Sequence, residues 1–229
     1  ATGHYACVES SPEGWRLKKA RDTQKDQTYF LYGIPETSLG SILFPLSSWK
    51  KTDATAEASR LHAHYRAARE SQDICFIPEG DYRAFISPYV PLKRGEIVSV
   101  EGRLLGYHLS VQLYTVGQRR GLGISSAEPL YVTAIDTATN TLVVGPRERL
   151  YRTTLEASCL NFFSSPEGIV GLTGKVRYRQ QEHRCSCRLD GDRMVVTFET
   201  AISAITPGQS VVLYDGDTVV GGGTIDRAL

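Results

Sequence analysis

Cys75 lies in the run Glu70-Ser71-Gln72-Asp73-Ile74-Cys75-Phe76-Ile77-Pro78, where a helical pattern gives way to turn and strand. Two readings are open for it. Free cysteine is among the most buried residue types. A thiol at such a junction can also be a nucleophile, provided positive neighbours or backbone N–H donors lower its pKa. Cys185-Ser186-Cys187, with His183 nearby, resembles half of a metal site. One intervening residue is tighter than a usual zinc pair, and no second ligand pair exists. The pattern therefore reads as a strand with two small buried side chains, and no metal is expected. Gly117-Gln118-Arg119-Arg120-Gly121-Leu122-Gly123 combines glycines with two arginines. Glycine lets a backbone approach a ligand closely, and arginine favours bidentate contact with phosphate. The Lys-Ser/Thr ending of a Walker loop is missing, so both a nucleic-acid contact and a plain turn fit.

Lys175-Val176-Arg177-Tyr178-Arg179-Gln180 alternates basic and other residues. Read as a strand, it puts Lys175, Arg177 and Arg179 on one face. Arg184 and Arg188 follow, and Glu182 is the one acid between 175 and 188. Such a patch suits a phosphate backbone, with Tyr178 placed to stack on a base from the other side. A solvated edge strand that uses charge against aggregation is the other reading. In Lys25-Asp26-Gln27 the acid is a natural helix cap. Gly221-Gly222-Gly223 reads as a closing bulge in a barrel strand in preference to a phosphate nest.

The elements that must position these residues follow from pattern and composition. The 229 residues suffice for one large domain or two small ones. With 41% hydrophobic and 22% charged residues, a disordered acidic chain and a disulfide-dense mini-protein are excluded. A net charge of +1 demands no polyanion, although a local basic patch can hide within it. The longest apolar runs, such as Ile42 to Leu46, fall far short of a membrane span. Five cysteines are too few for a secreted disulfide scaffold, so a reducing, cytoplasmic setting fits. Cys159 is expected in the core, and Cys7 has no partner by spacing.

The first 72 residues read as helical. A helix is expected from Asp53 to Glu70, a short one from Gln27 to Gly33, and an apolar docking segment at Ile42 to Leu46. From about 74 onward short β-type runs dominate: 97–100, 131–135, 141–144, 174–178, 193–199, 210–214 and 218–220. Asp190-Gly191 and Asp215-Gly216 are hairpin signals. The pattern predicts an antiparallel barrel or sandwich over 148–229 and a mixed connecting domain before it.

Several separated stretches, in order, resemble the tRNA-specific 2-thiouridylase family. They are Ala1-Thr2-Gly3-His4-Tyr5-Ala6, Lys25-Asp26-Gln27-Thr28-Tyr29-Phe30-Leu31, Ser71 to Ile77, Tyr114 to Ile124, Pro207-Gly208-Gln209-Ser210, and Tyr214-Asp215-Gly216 with Gly221-Gly222-Gly223. The resemblance implies an α/β plus β fold: residues 1–72 as the remnant of a PP-loop ATP-binding domain, 73–147 as a central adapter, and 148–229 as a tRNA-binding β-barrel. It implies a sulfurtransferase that uses ATP, with Mg²⁺, and a persulfide to replace the C2 oxygen of the wobble uridine with sulfur. Implied partners are tRNA and a sulfur-relay protein or cysteine desulfurase.

By position, the resemblance makes Cys75 the persulfide-forming cysteine and Gly3 an ATP-site residue. It makes Lys25, Asp26 and Gln27 one tRNA contact and Arg177 with Tyr178 a second. The family's Ser-Gly-Gly-Val-Asp-Ser loop is not among these residues, nor is the partner cysteine upstream of the Ala-Thr-Gly-His stretch. The sequence, which opens on Ala1, thus reads as the C-terminal two-thirds of the enzyme, with no thiolation activity alone. The rival readings are a non-catalytic RNA-binding module in which Cys75 is inert, and a translation-factor-like barrel that binds a protein.

Overall fold

A computed structural model describes residues 3–12, 14–61, 77, 82–90 and 92–229. The chain divides into two compact units. One joins residues 1–67 to residues 152–229, and the other is residues 68–151.

In the first unit, six strands close into an antiparallel barrel. These are β7 (Tyr151–Phe162), β8 (Thr173–Lys175), β9 (His183–Asp190), β10 (Arg193–Ser203), β11 (Ser210–Asp215) and β12 (Thr218–Ala228). Their order is β12-β11-β8-β9-β10-β7, and β7 pairs again with β12 to shut the ring. The expected barrel is therefore present, with strands missed or mis-sized at several places. The hairpin signals hold: Gly191 (φ 62°) and Gly216 (φ 59°) open the two-residue loops of β9–β10 and β11–β12. Met194, Val196 and Phe198 alternate inward on β10 and meet Leu155, Leu213 and Ile225 in the barrel core.

The glycine triplet is the bulged seam, as expected. Register shifts flank it on both β11 and β7. Gly221 has φ 153°, and a Cβ there would lie 2.5 Å from the Asn161 carbonyl oxygen. A Cβ at Gly223 would lie 2.7 Å from the Ser158 carbonyl oxygen. The backbones of β7 at Gly221 and Gly223 and of β11 at Gly222, through the Val211 carbonyl, approach β12 so closely that no side chain fits. Cys159 sits opposite this seam at φ 51° and is exposed, which corrects its expected place in the core. The bulge turns its side chain out of the alternation.

The helical reading of the first segment is corrected at its start. Residues 7–18 form a hairpin, β1 (Cys7–Ser11) and β2 (Gly14–Lys18). β2 continues the sheet by pairing Lys18 with Thr218 of β12. The hairpin buries Leu17 in a second core with Tyr29, Leu39, Phe44, Val212 and Tyr214. Helices follow: α1 (Thr28–Leu31), α2 (Glu36–Leu39) and α3 (Lys51–Leu61), the last being the start of the helix expected at 53–70, whose residues 62–70 lie outside the described residues. Within the segment 42–46 only Phe44 is buried, while Leu43 is largely exposed.

The second unit contains α4 (Tyr82–Ile86) and a four-stranded sheet. Its strands are β3 (Gly95–Ser99), β4 (Leu104–His108), β5 (Tyr131–Asp136) and β6 (Thr141–Gly145), in the order β4-β3-β6-β5. β3 and β6 run parallel, and the other pairs are antiparallel. Ile97, Val111, Leu122, Val132, Leu142 and Val144 form its core.

Candidate nucleic-acid interface

Asp26 precedes α1 and is only 8% exposed. Its two oxygens accept from separate donors: the Ala20 N–H reaches Oδ2 at 2.9 Å, and the Thr28 N–H reaches Oδ1 at 3.1 Å. The Thr28 hydroxyl also donates to Oδ1. Burial pushes the carboxyl pKa up, against the pull of the Thr28 and Ala20 hydrogen bonds and of Lys175. The carboxylate is thus occupied by its own chain and fixes the start of α1. Lys25, half-buried, donates its N–H to the Asp22 carbonyl at 3.1 Å.

Gln27 is tied to the opening segment on both sides. Its N–H donates to the Tyr5 carbonyl at 2.8 Å. Its Oε1 accepts from the Tyr5 N–H at 3.2 Å and from His4 Nδ1 at 2.9 Å, which sets the His4 tautomer as Nδ1–H. Gly3, beside His4, is exposed at φ 80°, and a Cβ there would meet nothing within 4 Å. The expected ATP-site glycine and the first expected tRNA segment are therefore neighbours in space.

The second expected RNA segment is brought to the same place. The Tyr29 hydroxyl reaches across to the barrel, donating to the Ser210 carbonyl at 2.9 Å with the Val176 carbonyl at 3.3 Å. Burial raises its pKa to about 12. Thr28 Oγ1 lies 3.3 Å from the Tyr214 hydroxyl. The rings of Phe30 and Tyr178 lie 4.6 Å apart at 38°. Residues nearly 150 positions apart thus share one surface.

The strand expected at 174–178 is cut short, and this is a correction. β8 stops at Lys175, and the Gln180 N–H bonds to the Arg177 carbonyl at 3.2 Å in a turn. Val176 is fully buried in the barrel core, its carbonyl facing the Tyr29 hydroxyl where the chain leaves the strand, and the three cations do not share a pleated face. Arg177 is half-buried; its Nε donates to the Ala204 carbonyl at 3.2 Å and its guanidinium to Thr206 Oγ1. Burial lowers its pKa, though a guanidinium stays charged. Lys175 is likewise lowered by burial, opposed by Glu182 and Asp26. Arg179, Arg184 and Arg188 are exposed.

Sequence reasoning missed Phe30, Tyr29 and Lys19. Lys19 pairs with Glu182 at 2.7 Å and lies over the Tyr214 ring at 4.4 Å, while Thr173 donates to Glu182 at 2.8 Å. One signal was available for Phe30. Two adjacent aromatics on a four-residue helix point in different directions, so Tyr29 and Phe30 cannot both face the core.

Cys75, the expected persulfide carrier, lies outside the described residues. Cys185 and Cys187 line the barrel core, and burial pushes their thiols up to about 12 and about 11. Such thiols are inert at neutral pH. The Gly117–Gly123 stretch is a structured loop. Gln118 accepts the Thr115 N–H at 3.1 Å and donates to the Arg120 carbonyl at 2.9 Å, leaving Arg119 and Arg120 exposed. Among the described residues no helix is long and apolar enough to cross a membrane.

Three family models match the chain in succession. Residues 1–79 match a tRNA methyl transferase HUP domain, and residues 83–146 a tRNA methyl transferase PRC-barrel domain. Residues 152–225 match an aminomethyltransferase beta-barrel domain. The fold class is therefore the expected one: a HUP-domain remnant, a mixed middle domain and a closed β-barrel. Curated proteins named tRNA-specific 2-thiouridylase MnmA, or MnmA 1, are similar over nearly the whole chain. The one from Syntrophus aciditrophicus is 45% identical across 100% of this chain and 62% of its own length. That from Geotalea uraniireducens is 43% identical across 100% and 62%, and that from Syntrophomonas wolfei 41% identical across 98% and 68%. The chain spans 62% to 68% of the length of these relatives.

Proposed function

The chain belongs to the tRNA-specific 2-thiouridylase family, and from that membership we propose that it is the RNA-gripping and sulfur-presenting part of a tRNA-uridine 2-sulfurtransferase. The reaction replaces the C2 oxygen of the wobble uridine with sulfur. ATP, with Mg²⁺, supplies the activation of that oxygen. Gly3, exposed and with open space where a Cβ would stand, fits the close approach of a nucleotide. The loop that would cradle its phosphates is not among these 229 residues.

Cys75 is assigned the sulfane sulfur. Its role needs a thiolate, because sulfur is carried and handed on as the nucleophile. Lys25 and Gln27 with Arg177 and Tyr178 are assigned to tRNA, and Asp26 serves that contact by holding the segment in place. Residues 1–72, 73–147 and 148–229 are taken as the ATP-domain remnant, the adapter and the tRNA-binding barrel. A sulfur-relay protein or a cysteine desulfurase delivers the sulfur, in the cytoplasm.

The observation that carries this reading is the convergence at Gln27. Its side chain binds the segment that holds Gly3, while α1, which follows it, packs on Tyr178. Nucleotide and RNA would thus meet across one residue.

The test is made in the complete enzyme. Cys75→Ser should abolish 2-thiouridine formation while tRNA still binds, and persisting product would refute the assignment. Arg177→Ala should weaken tRNA binding and flatten its salt dependence by about one unit. The present chain, incubated with ATP, a sulfur donor and tRNA, should yield no 2-thiouridine. If Cys75 is instead inert, as in a non-catalytic RNA-binding module, iodoacetamide at mildly acidic pH will label it no faster than Cys159.

A further inference from the structure

We propose that Phe30 is the platform on which an unpaired RNA base stacks, with Tyr178 as its support. This rests on the RNA-binding reading above and assigns a residue to which that reading gives no role.

Phe30 is 60% exposed, although Thr28 and Tyr29 immediately before it are buried. Its ring does not wave in solvent. Tyr29 meets it edge-on at 5.4 Å and 81°, and Tyr178 packs against it at 4.6 Å and 38°. Tyr29 is itself pinned by its hydroxyl to the barrel backbone. The exposed ring therefore has a fixed direction before any ligand arrives, which removes part of the entropy cost of binding. Tyr178 is less suited to the role: it is half-buried and takes part in the second core. One part of its ring lies against Phe30, and Lys175 Nζ is 6.0 Å from its centroid.

Charge selects the occupant. Lys175 Nζ lies 6.0 Å from the Tyr178 ring centroid, and Arg177 and Arg179 flank Tyr178 in sequence. The two acids that act on Lys175 are already engaged: Asp26 by Ala20 and Thr28, and Glu182 by Lys19 and Thr173. A fixed aromatic face within a cationic surround is the arrangement by which single-stranded nucleic acid is held, bases on rings and phosphates on cations. Phenylalanine adds no hydrogen bond, so the stack tolerates any base.

The test uses the full 229-residue chain and two probes: an RNA stem-loop with a single-stranded loop, and the same stem as a closed duplex without unpaired bases. Phe30→Ala should weaken stem-loop binding by about 5- to 150-fold, the affinity equivalent of one stacked base. Its salt slope and its duplex affinity should stay at wild-type values. Phe30→Trp should keep the affinity, and its added indole emission should be quenched by the stem-loop and not by the duplex. Trp15 and Trp49 supply the background to be subtracted with the wild-type titration. Circular dichroism shows that each variant is folded.

Equal weakening of both probes by Phe30→Ala, or no quench at Phe30→Trp, would overturn the stacking role. So would unchanged stem-loop affinity, which would leave Phe30 as a surface for protein. Failure of the underlying reading looks different: the wild-type chain would bind neither RNA, or Arg179→Ala would leave the salt slope of both unchanged.

Discussion

Replacing Asp26 by alanine tests the claim that its carboxylate is an internal strut. The two peptide donors it serves are both buried, Ala20 at 3% and Thr28 at 0% exposure. Each sits on a different carboxylate oxygen, so no single remaining group can take both. A buried N–H left unsatisfied costs about 1–3 kcal/mol, and two cost about 2–6 kcal/mol by the same measure. Removing a carboxylate that is itself penalised by burial offsets part of this. The expected net loss is about 2–4 kcal/mol. The Asp26→Asn substitution leaves one acceptor oxygen in place of two. The amide can keep the Thr28 donors and not the Ala20 N–H, for a loss of about 1–3 kcal/mol.

Urea unfolding followed by tryptophan fluorescence reads this loss in the right place. Trp15 and Trp49 both belong to the unit that contains Asp26. RNA affinity, measured where the variant is still folded, should fall as well, because Gln27 and Phe30 depend on the same start of α1. A shift below about 0.5 kcal/mol, the range of an ordinary surface change, would show that Asp26 is not a strut.

The barrel seam and the buried thiols give further expectations. Gly221→Ala forces a Cβ against the backbone of Asn161 and Phe162 at φ 153° and should cost about 2–6 kcal/mol. Gly171→Ala, also at positive φ but in open space, should cost only about 1–2 kcal/mol; equal losses in thermal unfolding would contradict the seam. Cys159 should react with a thiol reagent at neutral pH while Cys185 and Cys187 stay protected, as peptide mapping will read. The buried Tyr29, Cys185 and Cys187 have folded pKa values above their unfolded ones, so folding holds their protons. Stability should therefore be full below about pH 8.5 and decline as pH rises through about 11 and about 12. A flat profile over that range in circular dichroism would count against their burial.

Strands bounded by strong turn chemistry were legible. Asp190-Gly191 and Asp215-Gly216 located two hairpins, and the glycine triplet located the bulge. The β1–β2 hairpin was not legible. Its strands are short, mostly polar and lie at the sheet edge, so Cys7 to Lys18 shows little alternation. β9 carries so many polar residues that its inward set, Cys185, Cys187 and Leu189, was visible only as a same-face cysteine pair.

For the site, the positive charge of 175–188 could be read locally. Its shape could not, because β8 ends where the Tyr29 hydroxyl meets the Val176 carbonyl, a contact made by a residue far away in sequence. The place of Cys159 depended on a bulge created by glycines on another strand. The pairing of Phe30 with Tyr178 is likewise a tertiary fact that no local pattern encodes.

β12 pairs with β11, β7 and β2, and it is the strand synthesised last of the twelve described. Lys18 must wait for Thr218, about 200 residues later, before its hairpin can dock. At ribosomal speeds that is a delay on the order of 10–40 s. Until then Leu17 and Tyr29, and late in the interval the free edges of β7 and β11, lack their cover. Nascent chains stalled just short of residue 218 should consequently be hungry substrates for chaperones, and release of the final strand should discharge them in a single cooperative event.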